Sequence, residues 1–265
     1  RGRELASLRV LGYTRREVRA LLLGELFTLA FLALLPGFLL GTGMVWLLVQ
    51  GFSSELYRVP LVLSARAFAI AELALLHAAE SPPAQRLEAF EAEALALRDL
   101  LKFDFFFRDR DDFIEGVRSE VERLAPDWRD RLDEGTDGVR TLLGHAPTLC
   151  SDMLLRSFVE AYAVVGEVAE TAAGGTATDD DTLDRCMGVG RQQLLQGRLR
   201  SPEAVSRHLF RSGLELVRNR GLTAASPDAR AGRVAFLEYT RDVLRRLSLV
   251  HRIAVERVER MLAGT

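Results

Sequence analysis

Residues 21–49 read LLLGELFTLAFLALLPGFLLGTGMVWLLV, and how this run is taken decides the fold. One acid, Glu25, interrupts it. A bilayer-crossing helix needs about 20 apolar residues, and two crossings would need about 40. The run is therefore read as one tilted or kinked transmembrane helix over 21–49. Pro36-Gly37 marks the kink, where neighbouring groups re-satisfy the freed carbonyl. A secretory signal does not fit, because its apolar region is only about 7–15 residues. A buried soluble helix would carry a polar face, and this one carries none.

The segment just before, RGRELASLRVLGYTRREVRA, holds six arginines and two glutamates. Positive charge beside a span places that flank on the cytoplasmic side. Leu5, Leu8, Leu11 and Val18 fit one helical stripe with a turn at Gly12. Thr14 followed by Glu17 is a capping-box pattern for a second short helix.

The remainder of the 265 residues has a different character. Overall the chain is 48% hydrophobic and 27% charged, with a formal net charge of −2. That balance makes no case for nucleic-acid binding. Lys102 is the only lysine, which is read as coding bias from a GC-rich bacterial genome. The two cysteines, Cys150 and Cys186, have no CxxC and no adjacent histidine. A structural zinc site needs about four ligands, so no metal or cofactor is expected. Reduced buried thiols are the plainer expectation and a disulfide the other. The start at Arg1 rather than methionine reads as a fragment or processed chain.

Residues 61–79, LVLSARAFAIAELALLHAA, are apolar but hold Arg66, Glu72 and His77. Each central charge costs roughly 2.5–3.5 kcal/mol on an insertion scale, so one span rather than two is expected. With a cytoplasmic N-terminus, one span puts everything after residue 50 outside, whereas a second span over 61–79 would put the large C-terminal region inside.

The rest reads as helices, giving an all-α chain. Two domains are expected, 1–72 with the membrane helix and 73–265 as a soluble helical domain. Ser81 before Pro82-Pro83 is a start signal. Leu87, Phe90, Ala94, Leu97 and Leu101 form one stripe, and Leu154, Phe158, Ala161, Val165 and Val168 another. LKFDFFF is a strand or a helix end. Asp181 or Thr182 caps the next helix. Ser201-Pro202-Glu203 is read as an N-cap with proline in the first turn. The helix it opens carries Val205, Leu209, Ser212 and Leu216, and stops at Gly221. Ser226-Pro227-Asp228 repeats the signal for a long last helix carrying Val234, Leu237, Leu244, Leu247, Ala254, Val258 and Met261. Its length suggests a kink or coiled-coil-like packing.

Two resemblances follow from these residues. Arg3-Glu4-Leu5, Leu8-Arg9, Leu11-Gly12, Arg15-Arg16 and Gly24-Glu25, with GFSSELYRVPLVLSARAFAIA after them, resemble FtsX-like, MacB-type ABC transporter permeases over about residues 1–70. The resemblance implies that residues 3–18 couple to an ABC ATPase subunit and that the chain sits in a lipid bilayer, the bacterial inner membrane. Earlier spans and the extracytoplasmic domain are missing, and one helix cannot build a transport pathway.

FEAEALALRDLLKFDFFFRDRDDF at 90–113 and CMGVGRQQLLQGRLRSPEAVSRHLFRSGLELVRNRGL at 186–222 resemble the C-terminal helical region of bacterial glycerol-3-phosphate acyltransferases. This second likeness covers about residues 85–262. It implies membrane phospholipid biosynthesis, by transfer of an acyl chain to the first hydroxyl of glycerol 3-phosphate. The family's catalytic motif is His-x4-Asp. Five residues after His77, His145, His208 and His251 stand Pro82, Cys150, Gly213 and Glu256, so no histidine completes it. His251 and Glu256 point apart on one helix. No catalytic residue is assigned, and the chain is read as inactive alone: a chimera or fragment.

Two features compete for attention. Phe113-Ile114-Glu115-Gly116-Val117-Arg118-Ser119 resembles the family's glycerol-phosphate-binding motif, which would give Glu115 and Arg118 a ligand. Its flanks belong to the C-terminal region instead, which favours coincidence. Arg191, Arg198, Arg200 and Arg207 form a basic cluster. It serves either salt bridges to the chain's own acids or an acidic partner or lipid head groups.

Overall fold

The computed structural model describes residues 60–146, 149–172 and 179–263, with residues 23–24, 27–28, 31–34, 36–38, 41 and 44 before them. Among the described residues every regular element is helical and no strand occurs. The chain divides into two units, 1–60 and 61–265.

In the first unit the described residues are helical. Leu23, Phe27, Phe31, Leu32, Leu34, Phe38 and Met44 are 63–74% exposed. The hydroxyl of Thr28 donates to the Gly24 carbonyl at 2.7 Å. Most of the expected 21–49 span, and all of the 3–18 segment, lie outside the described residues. Among the described residues no helix is long and apolar enough to cross a membrane.

The second unit runs α1 (Pro60–Ala79), a 3-10 turn (Pro83–Gln85), α2 (Arg86–Leu101), α3 (Arg110–Leu124), α4 (Trp128–Asp133) and α5 (Thr136–His145). Then come α6 (Ser151–Ala172), α7 (Asp179–Leu195), a second 3-10 turn (Pro202–Ala204), α8 (Arg207–Asn219) and α9 (Pro227–Ala263). α6 is the hub. It packs along α9 and also meets α7, α8 and the second 3-10 turn. Leu155, Val159, Ala161, Tyr162, Val164, Val165 and Val168 are its buried hydrophobic residues. Seven inward positions at three- and four-residue spacing explain why it can serve several neighbours at once.

α1 is buried in this unit. Ile70, Leu73, Leu75 and Leu76 are at most 3% exposed. Its mid-helix acid, Glu72, is fully buried and has a defined task. The Cys150 N–H donates to Oε1 at 2.9 Å and the Ser151 N–H to Oε2 at 2.9 Å. These groups lie at the start of α6, where the first N–H groups have no partner inside the helix. A carboxylate there also meets the positive end of the helix dipole. Burial raises the pKa of Glu72, and the hydrogen bonds from Ser151 and Cys150 oppose that rise.

Several expected boundaries hold. α9 begins at Pro227, with the Ala229 N–H donating to Ser226 Oγ at 3.2 Å. α8 ends before Gly221, whose φ of 69° is left-handed. The Leu222 N–H then returns to the Val217 carbonyl and the Gly221 N–H to Arg218, a glycine-closed helix end. The phenylalanine knot is a helix end and loop. Phe105 packs on Phe158 with centroids 4.7 Å apart, Phe107 on Phe113 at 5.3 Å, and Phe106 is 97% exposed.

Other details differ. Ser201-Pro202-Glu203 does not open α8. It opens a separate 3-10 turn, and α8 starts at Arg207 after Ser206. The Ser201 hydroxyl donates to the Glu203 carboxylate at 2.7 Å instead of accepting from the backbone. α7 begins at Asp179, ahead of Asp181 and Thr182. The inward side of α9 is Phe236, Leu237, Val243, Leu247, Val250 and Ile253, whereas Val234 and Val258 are exposed. A stripe chosen on hydrophobicity alone misses this rotation, because α9 also buries Arg233, Thr240 and Arg246.

Glu72→Ala leaves two buried N–H groups without acceptors. At about 1–3 kcal/mol each, it should destabilise the second unit by about 2–6 kcal/mol, read as a lower denaturant midpoint by circular dichroism. The pH dependence has a definite sign. The raised folded pKa means that the native state holds the Glu72 proton more tightly than the unfolded chain. This contribution is present below the unfolded value and is lost as pH rises through the folded one. Compared with the parent, Glu72→Gln should therefore lack that decline across the range just above about pH 4.

Candidate functional site

The residues singled out from sequence separate in space. Phe113, Ile114, Val117 and Val121 are the inward stripe of α3. Glu115 lies on its exposed side. Arg118 is ion-paired with Glu91 of α2. The glycerol-phosphate-like motif is thus a helix whose apolar positions serve the core, with Arg118 already engaged. In the basic cluster, Arg198 pairs with Glu167 at 3.5 Å and Arg207 with Asp184 at 2.7 Å. Arg191 and Arg200 are exposed and have no acidic partner among the described residues. His251 is not paired with Glu256. Its Nδ1 lies 3.1 Å from Asp152 Oδ2 on α6.

That contact belongs to a polar cleft that sequence reasoning missed. It lies between the start of α6, the second 3-10 turn and the side of α9, with a volume of about 600 Å3. Arg156, 8% exposed, forms its floor. Its Nε donates to Asp152 Oδ1 at 2.6 Å, Nη1 to Glu160 Oε1 at 3.4 Å, and Nη2 to Ser248 Oγ at 3.2 Å. Glu160 is buried and also accepts the Arg200 N–H at 3.1 Å and the Ser201 N–H at 2.9 Å. The guanidinium fork thus ties α6 to α9, and Glu160 ties α6 to the chain entering the 3-10 turn. Asp152, Arg156 and Glu160 stand four residues apart on α6. This is the spacing of helix ion pairs and was visible in the sequence.

A sequence profile described as the glycerol-3-phosphate acyltransferase C-terminal region matches residues 62–226. The chain belongs to this family. A second profile, FtsX-like permease C-terminal, matches residues 1–79. Proteins named "Putative acyltransferase plsB1" from Mycobacterium bovis and from Mycobacterium tuberculosis are 32% identical to the chain over 190 residues. That alignment covers 70% of this chain and 31% of theirs, so the chain spans about a third of the length of those relatives. No solved structure matches it.

The acyltransferase match takes in α1 to α8, and with them Glu72, Arg156, Glu160 and Arg200. A second buried ion pair joins these helices to α9. Arg246 is 1% exposed. It donates to the Leu73 carbonyl at 2.9 Å and to Glu93 Oε1 at 2.7 Å, and lies 3.0 Å from Asp242. The Tyr239 hydroxyl also donates to Glu93, at 3.1 Å. Among the described residues no group of histidine, cysteine and acidic side chains is arranged to hold a metal. Cys150 and Cys186 are free and buried. Burial pushes the Cys150 thiol to about 12, with the Glu72 charge adding to it, and Cys186 to about 11.

Thiolate is the reactive form. Iodoacetamide at pH 8 should therefore leave both cysteines unmodified in the native chain and label both in denaturant, as read by mass spectrometry. Arg246→Ala leaves Glu93 buried without its cation. It should cost about 3–5 kcal/mol, measured by chemical denaturation.

Proposed function

We propose that the second unit is the non-catalytic C-terminal helical region of a membrane-associated glycerol-3-phosphate acyltransferase of phospholipid biosynthesis, joined to a permease-like segment. The observation that carries this is the family match over 62–226, whose residues form most of the second unit's core. The sequence offers no His-x4-Asp pair to deprotonate a glycerol 3-phosphate hydroxyl. His251, the histidine nearest to a candidate motif, is taken up by Asp152. The domain's role is then to support a catalytic domain. Such support requires a stable scaffold, and the buried Arg156 and Arg246 links between helices supply one.

The apolar run 21–49 is read as a bilayer span, with the arginine-rich 1–20 flank on the cytoplasmic side. The described residues in this run support that. Their phenylalanine, leucine and methionine side chains are helical and open, which suits lipid as the surrounding medium. Localisation to the bacterial inner membrane follows. The junction between the permease-like and acyltransferase-like segments is read near residue 72, inside α1.

A second reading rests on the permease match over 1–79. There the segment 3–18 docks on an ABC ATPase, with Leu5, Leu8 and Leu11 as its apolar contact.

Membranes holding the chain, supplied with acyl-CoA and glycerol 3-phosphate, should form no lysophosphatidate above background. Turnover by the chain alone would overturn the non-catalytic assignment. For the second reading, an ABC ATPase should be retained by the immobilised chain and released by the paired change Arg15→Glu and Arg16→Glu. No retention of any ATPase would reduce the permease likeness to ancestry.

A further inference from the structure

The cleft at the start of α6 has an unusual division of charge. Its acids are occupied. Asp152 is shared between Arg156 and His251. Glu160, behind Arg156, accepts from that guanidinium and from two backbone N–H groups. Glu203 accepts from the Ser201 hydroxyl, a bond that lowers its pKa and keeps it engaged. Two of the cations are not occupied. Arg200 and Arg252 both line the cleft, both are exposed, and neither has an acidic partner among the described residues.

We propose that this cleft binds a phosphate monoester, held by the guanidinium groups of Arg200 and Arg252 with His251 beside them. Guanidinium presents paired N–H donors that match phosphate oxygens. The two arginines come from different elements, Arg200 from the chain entering the 3-10 turn and Arg252 from α9, so an anion held by both bridges the two. Each is positioned by the network beneath it. Glu160 fixes the backbone of Arg200 through its N–H. Arg156 fixes α9 through Ser248, one turn before Arg252. His251 Nδ1 lies 3.1 Å from Asp152 Oδ2, so Nε2 is the ring nitrogen left for a ligand. Asp152 and Arg156 are positioning residues and do not touch the ligand.

The remaining lining selects an ester over inorganic phosphate. At about 600 Å3 the cleft far exceeds a single phosphate. Met153, 78% exposed, and Pro202 give it an apolar side next to the cations. A phosphate carrying a short carbon skeleton uses both. That chemistry occurs in a free glycerol phosphate and in the headgroup of a phosphatidate. The inference rests on the cleft and does not require the acyltransferase reading to hold.

The test uses the full chain in maltoside micelles, which carry no phosphate. Calorimetric titrations compare glycerol 3-phosphate, short-chain phosphatidate and short-chain phosphatidylcholine as the zwitterionic control. The double variant Arg200→Gln and Arg252→Gln changes two exposed side chains and keeps the backbone bonds. Arg191→Gln, equally exposed but outside the cleft, is its control. Expected is saturable binding of at least one monoester, weakened by about tenfold or more in the double variant, as for loss of charge-assisted bonds, and unchanged in Arg191→Gln. Binding of glycerol 3-phosphate identifies a free ester. Binding of phosphatidate alone identifies a lipid headgroup. No saturable binding of either monoester overturns the proposal. So does binding that the double variant retains at full strength, or that phosphatidylcholine matches.

Discussion

The second unit depends on a carboxylate inside an apolar helix. Glu72 is carried by α1 into the core, where it accepts the first free N–H groups of α6. α6 is the element on which α7, α8, α9 and the second 3-10 turn all pack. Its start is deeply placed, with Cys150 at 5% and Ser151 at 0% exposure. Water is not at hand to satisfy those N–H groups, and an unmet buried donor is costly. One side chain from a distant part of the chain supplies both acceptors. The alignment of α1 and the direction of α6 are thereby fixed together.

This bears on residues 62–79, which both family profiles match. The segment is apolar enough to resemble the approach to a membrane span. Its polar residues discriminate, because each has a partner in the helical unit. The Arg66 guanidinium lies 4.6 Å from the Phe105 ring centre. Glu72 caps α6. His77 Nε2 lies 4.0 Å from Glu93 Oε2. In hydrocarbon these groups would be liabilities, whereas in the bundle they make its long-range links. Within the described fold, α1 acts as a core helix of the acyltransferase-type unit.

Much of the helical architecture was legible from local chemistry. Ser226-Pro227 and Gly221 act within one turn of where they stand, so their effect can be read without the tertiary structure. The same logic misplaced the start of α8, because Ser201 has a closer acid in Glu203 and its N–H is claimed by Glu160, 41 positions away. The face of α9 was misread for a related reason. Its seam includes buried Arg233, Thr240 and Arg246, and a pattern built from apolar letters excludes them. The cleft was half legible. The spacing of Asp152, Arg156 and Glu160 announces a ladder of charges on α6. That Arg200 and Arg252 share its rim depends on how the 3-10 turn and α9 fold against that helix, which no local signal encodes.

The near-absence of lysine also acquires structural content. At two buried positions the geometry itself calls for arginine. Arg246 uses separate nitrogens for the Leu73 carbonyl and the Glu93 carboxylate. Arg156 reaches Asp152, Glu160 and Ser248 with three. A lysine ammonium is a compact point charge without the planar fork, and it loses its charge more readily when buried. It could not hold a carbonyl and a carboxylate from different helices at these separations. Each arginine also has an acid four positions away on its own helix, Asp242 for Arg246 and Asp152 and Glu160 for Arg156. That local pairing holds the guanidinium in the orientation that its distant partner meets. Lys102, by contrast, sits at an exposed helix end and makes a 2.6 Å bond to Asn219, a task that needs no fork. A buried charge that joins α6 to α9 at Arg156, and α9 to α1 and α2 at Arg246, explains why a lysine at either position would loosen the bundle.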